Sequence, residues 1–431
     1  MEKSTTNEQW DYLLINGQSS YIKIKDPKYN GVELQEFESI EPLKFKNEKD
    51  EEVKPTVEQV QNEKRKIYSD FFKKPFKNLL ILTGAGSSMG VGGKSMYQLW
   101  DKAERGYFIE EKEDKETKEK IILNSDFKAL CTKLNFNYET KNLESLLSKI
   151  EGVIKFQEDL EVELNDSFKK RISEFKNEIF ELIVKECTIP IPSIDNFPHK
   201  IFLDKILQRK LTNPRVKLFT LNYDTLFEDA ARLSNAILID GFSYTFPRTF
   251  SGRFFDYDIV QREGSKLNEE DNFVQRVLHL HKLHGSINWT RNGDTNEVTM
   301  ESNPEIPLMV YPRESKYEDS YEQPFFEMMA RFQRNLRQSN DTLLICIGYS
   351  FNDKHINSAI EEALNQNPGF RLAVIDPGIN SENSSMTELR KNALKTNRIM
   401  MVSETFSDFA SNYPEIQTYN DVQMDSINLV K

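Results

Sequence analysis

Three of the chain's five histidines stand in one short run, "HLHKLHGSINW" at residues 279–289. On a strand, His279 and His281 alternate and share one side, whereas His284 directly precedes Gly285 at the strand's end and is free to enter a cleft. An imidazole with an unperturbed pKa of about 6.5 suits proton transfer near neutral pH, so His284 is a candidate base; a structural hydrogen bond is its plainer use. The i, i+2 spacing of His279 and His281 would also serve a metal, but no carboxylate or cysteine pattern accompanies it, and no metal site is expected. Two further polar residues, Asn222 and Asp224, follow an apolar run in "FTLNYDTLFEDAA", residues 219–231. Open α/β sheets bind ligands at the carboxyl ends of their strands, which is where this order places them. Capping the helix that follows is the alternative use of Asp224. Asp376, in "VIDPG", stands at another strand terminus, where a carboxylate either hydrogen-bonds ribose hydroxyls or closes a turn.

Chemistry of another kind is written into "LLILTGAGSSMGVGGKSM", residues 79–96. A phosphate loop of the Walker type needs a glycine five positions before Gly93-Lys94-Ser95, and that position holds Ser88. The dinucleotide fingerprint G-x-G-x-x-G fits Gly84 and Gly86, but its third position falls on Met89, one residue short of Gly90. What remains is a buried strand followed at once by Gly84, Ala85, Gly86, Ser87 and Ser88. Residues this small let backbone amides approach a pyrophosphate at a helix N-terminus, where the helix dipole also favours an anion. A glycine-rich turn without any ligand is the competing account. The run "ICIGYSFNDKHINSAIEEAL", residues 345–364, repeats this order with Gly348 and Ser350, then Asp353 as a helix N-cap.

These residues need strands to carry them. Apolar runs recur at 79–83, 216–222, 277–285, 342–350, 370–377 and 398–404, several of them continuous rather than alternating, with helix-like segments between. That pattern predicts an α/β, Rossmann-like fold with a mostly parallel sheet covered on both faces. A long insertion, residues 105–210, has a different character: Leu143, Leu146, Leu147, Ile150 and Ile154 fall at helical spacing, as do Phe168, Ile172, Phe175, Ile179, Leu182 and Ile183. A helical subdomain is expected there. Residues 1–75, polar and charged, read as a small N-terminal appendage or arm, 76–410 as the catalytic domain, and 411–431 as a tail.

A formal net charge of -12 argues against nucleic acid as the direct partner. The three cysteines, Cys131, Cys187 and Cys346, are too scattered for a disulfide framework or a four-cysteine zinc site, which fits a reducing compartment. No signal peptide opens the chain and no apolar run approaches membrane-spanning length, so a soluble, cytoplasmic protein without a membrane partner is expected.

Read together, the segments resemble the sirtuin family, in its bacterial, anti-phage branch. The matching residues are Gly84-Ala85-Gly86-Ser87-Ser88, Asn222-Tyr223-Asp224, His284-Gly285 and Gly348-Tyr349-Ser350-Phe351, with Asp376 near where the family meets the adenosine ribose, all in the family's order over 78–405. The resemblance implies that the glycine loop is an NAD pyrophosphate site and that Lys94 is incidental. It implies cofactor-site roles for Gly84, Ala85, Gly86, Ser87, Ser88, Asn222, Asp224, Gly348, Ser350 and Asp376, and catalytic roles for Asn222, His284 and Asp224. Asn222 would orient water and ribose, Asp224 would contact the nicotinamide amide, and His284 would be the base. The four-cysteine zinc module and the Pro-Asp-Phe-Arg stretch of deacylating members are missing, with "GVGGKSMYQLW" in place of the latter. The branch's activity is NAD hydrolysis to nicotinamide and ADP-ribose, an abortive-infection device. A protein deacylase and a non-catalytic NAD or ADP-ribose-sensing scaffold are the alternatives. The branch also implies a homo-oligomer with a separate activating partner, a HerA-type ATPase or an Argonaute-type protein, because the residues after 405 are too few for a sensing domain.

Overall fold

The protein is represented by a computed structural model that describes residues 11–415, apart from 25–38, 41–44, 47–48, 54–55, 114–115, 123–126, 161–165, 262–272, 310–322, 339–340 and positions 19, 106, 303 and 305. Most of residues 1–10 and 25–44 in the expected appendage, and 416–431 in the expected tail, therefore lie outside the described residues.

In chain order the strands are β1 Asp11–Ile15, β2 Tyr21–Ile24, β3 Ser39–Ile40, β4 Phe45–Lys46, β5 Glu52–Val53, β6 Asn78–Thr83, β7 Tyr107–Glu113 and β8 Glu116–Ile122. They continue with β9 Val216–Thr220, β10 Ile237–Ile239, β11 Val277–Lys282, β12 Trp289–Arg291, β13 Val298–Met300, β14 Thr342–Ile347, β15 Phe370–Ile375 and β16 Ile399–Val402. The helices are α1 Val57–Phe72, α2 Gly86–Met89, α3 Met96–Arg105, α4 Phe127–Lys133, α5 Leu143–Leu160 and α6 Asp166–Cys187, then α7 Pro198–Ile206, α8 Leu226–Leu233, α9 Phe325–Arg337, α10 Lys354–Gln366, α11 Ser384–Lys395 and α12 Phe406–Asn412.

Ten strands form one sheet in the order β10-β11-β9-β6-β14-β15-β16-β1-β2-β3. The first seven run parallel, and β1 to β3 add antiparallel strands at one edge. From the central β6 the chain winds outward through β9 to one side and, after a long excursion, through β14, β15 and β16 to the other, so the strand order reverses between β6 and β14. This is a Rossmann-like arrangement, and such a reversal opens a crevice between the loops that leave the carboxyl ends of the two strands.

Alternation along each strand explains why the runs are continuously apolar. Leu79 and Ile81 of β6 join one core layer with Phe71, Phe72, Phe202 and Phe409, under α1, α7, α8 and α12. Leu80 and Leu82 face the other way, into a layer with Phe332, Leu336 and Ile360 under α9 and α10. A strand buried on both faces has no solvated side on which polar residues could alternate.

The stripes of α5 and α6 pack as expected into a separate helical core with α3 and α4, containing Trp100, Leu146, Ile150, Phe175 and Ile179. That body begins at α3, before residue 105, and it also carries the hairpin β7–β8. Helix α7, inside the segment read as the insertion, instead packs on the sheet through Phe202 and Leu203. The segment read as an appendage is continuous with the sheet: Leu14 pairs with Val402, and Lys64 of α1 lies 3.5 Å from the Glu404 carboxylate, both side chains buried.

Candidate functional site

The parallel ladder persists one residue past the strand ends, with Leu221 N–H donating to Thr83 O at 3.0 Å, Leu283 N–H to Thr220 O at 2.9 Å and Gly348 N–H to Ile375 O at 2.9 Å. The loops carrying Gly84, Asn222, His284 and Gly348 therefore leave adjacent strands at fixed heights. Between β6 and β14 the two glycine loops touch backbone to backbone. Gly86 N–H donates to Gly348 O at 3.0 Å, and a Cβ on Gly86 would lie 2.6 Å from Gly348 Cα. Gly348 has φ +57°, a conformation side chains disfavour, and a Cβ there would meet Gly86 at 2.5 Å.

This changes the expected role of the glycines. The N–H groups of Gly84, Gly86, Ser87 and Ser88 all donate to backbone carbonyls, leaving Ala85 as the loop amide without a backbone acceptor among the described residues. The helix that follows, α2, has four residues. Gly84 and Gly86 are thus small because another loop passes against them; Ala85 is exposed, while the buried hydroxyls of Ser87 and Ser88 donate to Gly84 O and Asp224 Oδ2. The near-Walker ending also resolves: Gly93 N–H donates to Ser88 O at 2.9 Å, and its missing Cβ would overlap Ser88.

Asn222 ties this loop to β9. Its amide nitrogen donates to Gly84 O at 3.1 Å, Ser87 Oγ at 3.1 Å and Ser88 Oγ at 2.9 Å. Ser88 Oγ donates in turn to Asp224 Oδ2 at 2.7 Å, while Asp224 Oδ1 accepts from Leu226 N–H at 3.2 Å. Asp224 therefore serves the first amide of α8 from the residue before its N-cap, Thr225, and locks Ser88 as well; burial pushes its carboxyl up, against the pull of Lys282. Lys282, buried in β11, holds the turn from beneath by donating to the Asp224 carbonyl and to Glu228 Oε1 at 3.0 Å.

His284 leaves β11, three strands away from β14, yet its Nε2 lies 3.3 Å from Oδ2 of Asp353, which follows β14. At roughly 4.8 Å per strand this contact must bridge about 14 Å. The strands β9 and β6, which carry the Asn222 and glycine loops, lie between β11 and β14. Asp353 is simultaneously the N-cap of α10, its Oδ1 accepting from His355 and Ile356 N–H. Burial lowers the His284 pKa, but the hydrogen bond and charge of Asp353 and the charge of Glu144 outweigh it, and the net shift is upward. Asp353 moves oppositely: burial raises it, and the His284 hydrogen bond and charge bring it below the usual range. Glu144, from α5, accepts from Tyr223 Oη at 2.7 Å, and burial raises its pKa.

Of the expected site residues, Gly84 to Ser88, Asn222, Asp224 and Gly348 are thus brought together. Ser350 is exposed, its carbonyl accepting from Asn383 at 3.2 Å, and Asp376 is half-buried with Oδ1 accepting from Gly378 N–H at 2.6 Å. His279 and His281 share a side as expected, but that side packs on Phe255, 6.3 Å and 4.1 Å away, apart from the Asn222 cluster and the His284–Asp353 pair. Reading the sequence missed Glu144, which looked like the polar face of a helix, and saw Asp353 only as a cap. The His284 partnership had no sequence signal, since 69 residues separate the pair.

Residues 216–399 match the SIR2-like domain family. The match includes Asn222, Asp224, His284, Gly348, Ser350 and Asp376 and begins after the glycine loop. No curated protein compared with the sequence matches it. Among solved structures, similar ones include a Sir2 homologue in complex with NAD, at 14% identity over 81% of this chain and 91% of that one, with a TM-score of 0.40. Another is a Sir2 homologue with ADP-ribose, at 12% identity over 80% of this chain and 94% of that one, with a TM-score of 0.37. The likeness is loose, and the fold assignment rests on the strand order of this chain itself. Among the described residues no helix is long and apolar enough to cross a membrane.

Proposed function

We propose that the chain is an NAD glycohydrolase that cleaves NAD to nicotinamide and ADP-ribose as an effector of anti-phage defence. The observation that carries this reading is the Asn222–Ser87–Ser88 cluster and the His284–Asp353 pair, which together occupy the carboxyl ends of four adjacent strands. The partial SIR2-like match over 216–399 supports it, as does the NAD named for one of the similar structures.

The chemistry asks little of the protein beyond placement. The bond between ribose C1′ and the pyridinium nitrogen breaks with its electron pair going to nitrogen, so nicotinamide leaves neutral and needs no general acid, unlike an ordinary glycoside. A water oxygen bonds to C1′, and the proton it loses goes to a base and then to solvent. Neutral His284, oriented by Asp353, is that base. Asn222 Nδ2 is committed to the loop, and its Oδ1 is left to hold water or ribose hydroxyl. The pyrophosphate takes the Ala85 amide and competes for the hydroxyls of Ser87 and Ser88. Asp224 acts as a positioning residue through Ser88; contact with the nicotinamide amide would require one of its two hydrogen bonds to yield. Asp376 faces the adenosine ribose in this reading, and Ser350 lies on the rim.

Nicotinamide release from NAD by purified protein, alone and with a co-expressed HerA-type ATPase, tests the proposal. Release that requires neither acylated peptide nor any acyl acceptor supports it; release only when an acylated peptide is supplied would overturn it in favour of deacylation.

A further inference from the structure

A cavity of about 260 Å³ lies against β9 and β11, lined from both strands and from α9. Lys217 near the start of β9 and His279 of β11 are cross-strand partners and line it, beneath Arg331 and Arg334 of α9 and beside Phe255. From Lys217 to Asn222 is five residues, or roughly 16 Å along an extended chain, so the two sites are separate.

The lining holds four cations, Arg215, Lys217, Arg331 and Arg334, against two carboxylates, Asp256 and Asp258. The carboxylates are already taken. Arg215 pairs with Asp258 at 2.8 Å, and Arg331 grips Asp256 at 2.8 Å and 3.0 Å. Lys217 makes no hydrogen bond or ion pair among the described residues, and Arg334 comes no nearer than 4.0 Å to Asp256. Two ring nitrogens are orphaned as well: His279 Nε2 and His281 Nδ1 are buried without hydrogen-bond partners, on residues 6% and 1% exposed. His281 is clamped flat, 4.1 Å from the Phe255 ring and 4.5 Å from Phe219, so its orientation is fixed.

Buried polar groups are ordinarily satisfied, and unpaired charges in partly desolvated places are costly. Lys217 shows the strain: burial, then Arg334 and Arg331, push its ammonium down to about 8. His279 is pushed down to about 4 by burial, then by Lys217, and is neutral. Two surplus cations with ring nitrogens arriving from β9, β11 and α9 match a dianion with three oxygens better than a two-oxygen carboxylate. The volume sits at the small end of ligand sites, which limits the rest of the molecule to about the size of a sugar or nucleoside.

We propose that this cavity binds a phosphate monoester, a sugar phosphate or nucleoside monophosphate, with Lys217 and Arg334 as its charge partners and His279 as a hydrogen-bond partner. The site is independent of the NAD reading and stands or falls separately. With five histidines in the chain, imidazole resonances distinguish the two sites directly. Ribose 5-phosphate and AMP, titrated to about 1 mM or beyond, should shift His279 and His281 saturably while ribose and adenosine do not. Ribose 5-phosphate should leave His284 unmoved, and Lys217→Gln or Arg334→Gln should weaken its binding at least tenfold. Arg334 is exposed, so its variant keeps the test clear of misfolding. Absence of any shift, unchanged affinity in both variants, or a response to inorganic phosphate with none to either ester would overturn the proposal.

Discussion

His284 touches the Asp353 carboxylate and also feels the charge of Glu144, which makes its titration the most direct probe of the site. A base must be neutral to work, and the pKa of His284 is raised, so the acid limb of NAD hydrolysis should lie above the usual histidine value of about 6.5. Asp353→Asn removes the charge yet keeps a good N-cap for α10. Its acid limb should therefore move to lower pH, read from kcat/KM against pH, while a variant whose limb stays in place would show that His284 is not the titrating base. Asn222→Ala and His284→Ala should each reduce turnover at least about a hundredfold with the far-ultraviolet circular dichroism retained; near-normal turnover in either folded variant would refute its assigned role. At this scale the sequence singles out polar residues that end an apolar run, as with Asn222 and His284, and both stand just past the ends of β9 and β11. It was unreadable where the function lies in a pairing across distant segments. Asp353 and Glu144 gave the local signals of a cap and a helix face, and both signals were true without being complete.

Elements fix what the residues do, and the crossing of the two glycine loops between β6 and β14 is the tightest instance. In Gly348→Ala a side chain would enter left-handed backbone and press on Gly86 at 2.5 Å. Left-handed strain and overlap together should cost about 2 to 4 kcal/mol in denaturant unfolding, and NAD affinity by calorimetry should fall too. Gly86→Val should weaken NAD binding for the same reason, through Gly348, rather than by excluding the phosphate. Unchanged affinity in Gly86→Val would move the phosphate site elsewhere. A second test at this scale concerns α1. Lys64 is held between the Ser403 carbonyl at 3.2 Å and Glu404, and burial lowers the lysine and raises the glutamate. Lys64→Met strands Glu404 and should cost about 3 kcal/mol at neutral pH. A carboxyl whose folded pKa is raised favours the folded state only when protonated, so this loss should shrink as pH falls toward about 4.3 and grow as it rises. Chemical unfolding at several pH values checks the slope; a pH-independent loss would mean that Glu404 finds another partner. The parallel strands were legible because burial on both faces writes unbroken apolar runs, as in "LLILT" and "TLLICI". The antiparallel strand β1, between β16 and β2, was not, since five residues within a charged segment carry too short a period to distinguish a sheet strand from an arm. Helix α7 had an apolar stripe like those of α5 and α6, and periodicity alone does not say which core a stripe faces.

For the whole molecule, the decisive feature is how the helical body meets the turn that carries Asn222 and Asp224. Its core takes in Tyr223, the residue between Asn222 and Asp224, and its helix α5 supplies Glu144, which accepts from the Tyr223 hydroxyl and lies in the electrostatic field of His284. A force applied to α5 from outside is thus delivered to the loop that holds Asn222 and to the base. An enzyme that drains NAD harms its own cell, so we expect its activity to be conditional, and this clasp is where the condition would act. In the proposed reading, parting of the His284–Asp353 contact is the opening that such a condition would control. A partner can bias that opening only as far as its affinity for the open and closed states differs; moving the population from 1:99 to 99:1 needs about 5.5 kcal/mol of such difference. In the proposed reading the trigger is a separate protein, for which the sirtuin resemblance implies a HerA-type ATPase before an Argonaute-type protein, and the net charge of -12 disfavours nucleic acid in that role. The exposed aromatic run of Tyr244, Phe246 and Tyr257 offers one surface for assembly. The expected outcome is a homo-oligomer by light scattering whose nicotinamide release is low alone and rises at least tenfold with the ATPase. Glu144→Gln, which keeps the Tyr223 hydrogen bond but removes the charge, should retain assembly and alter the size of that rise. A stable monomer with full activity, indifferent to the ATPase and to the Glu144 charge, would rule the scheme out.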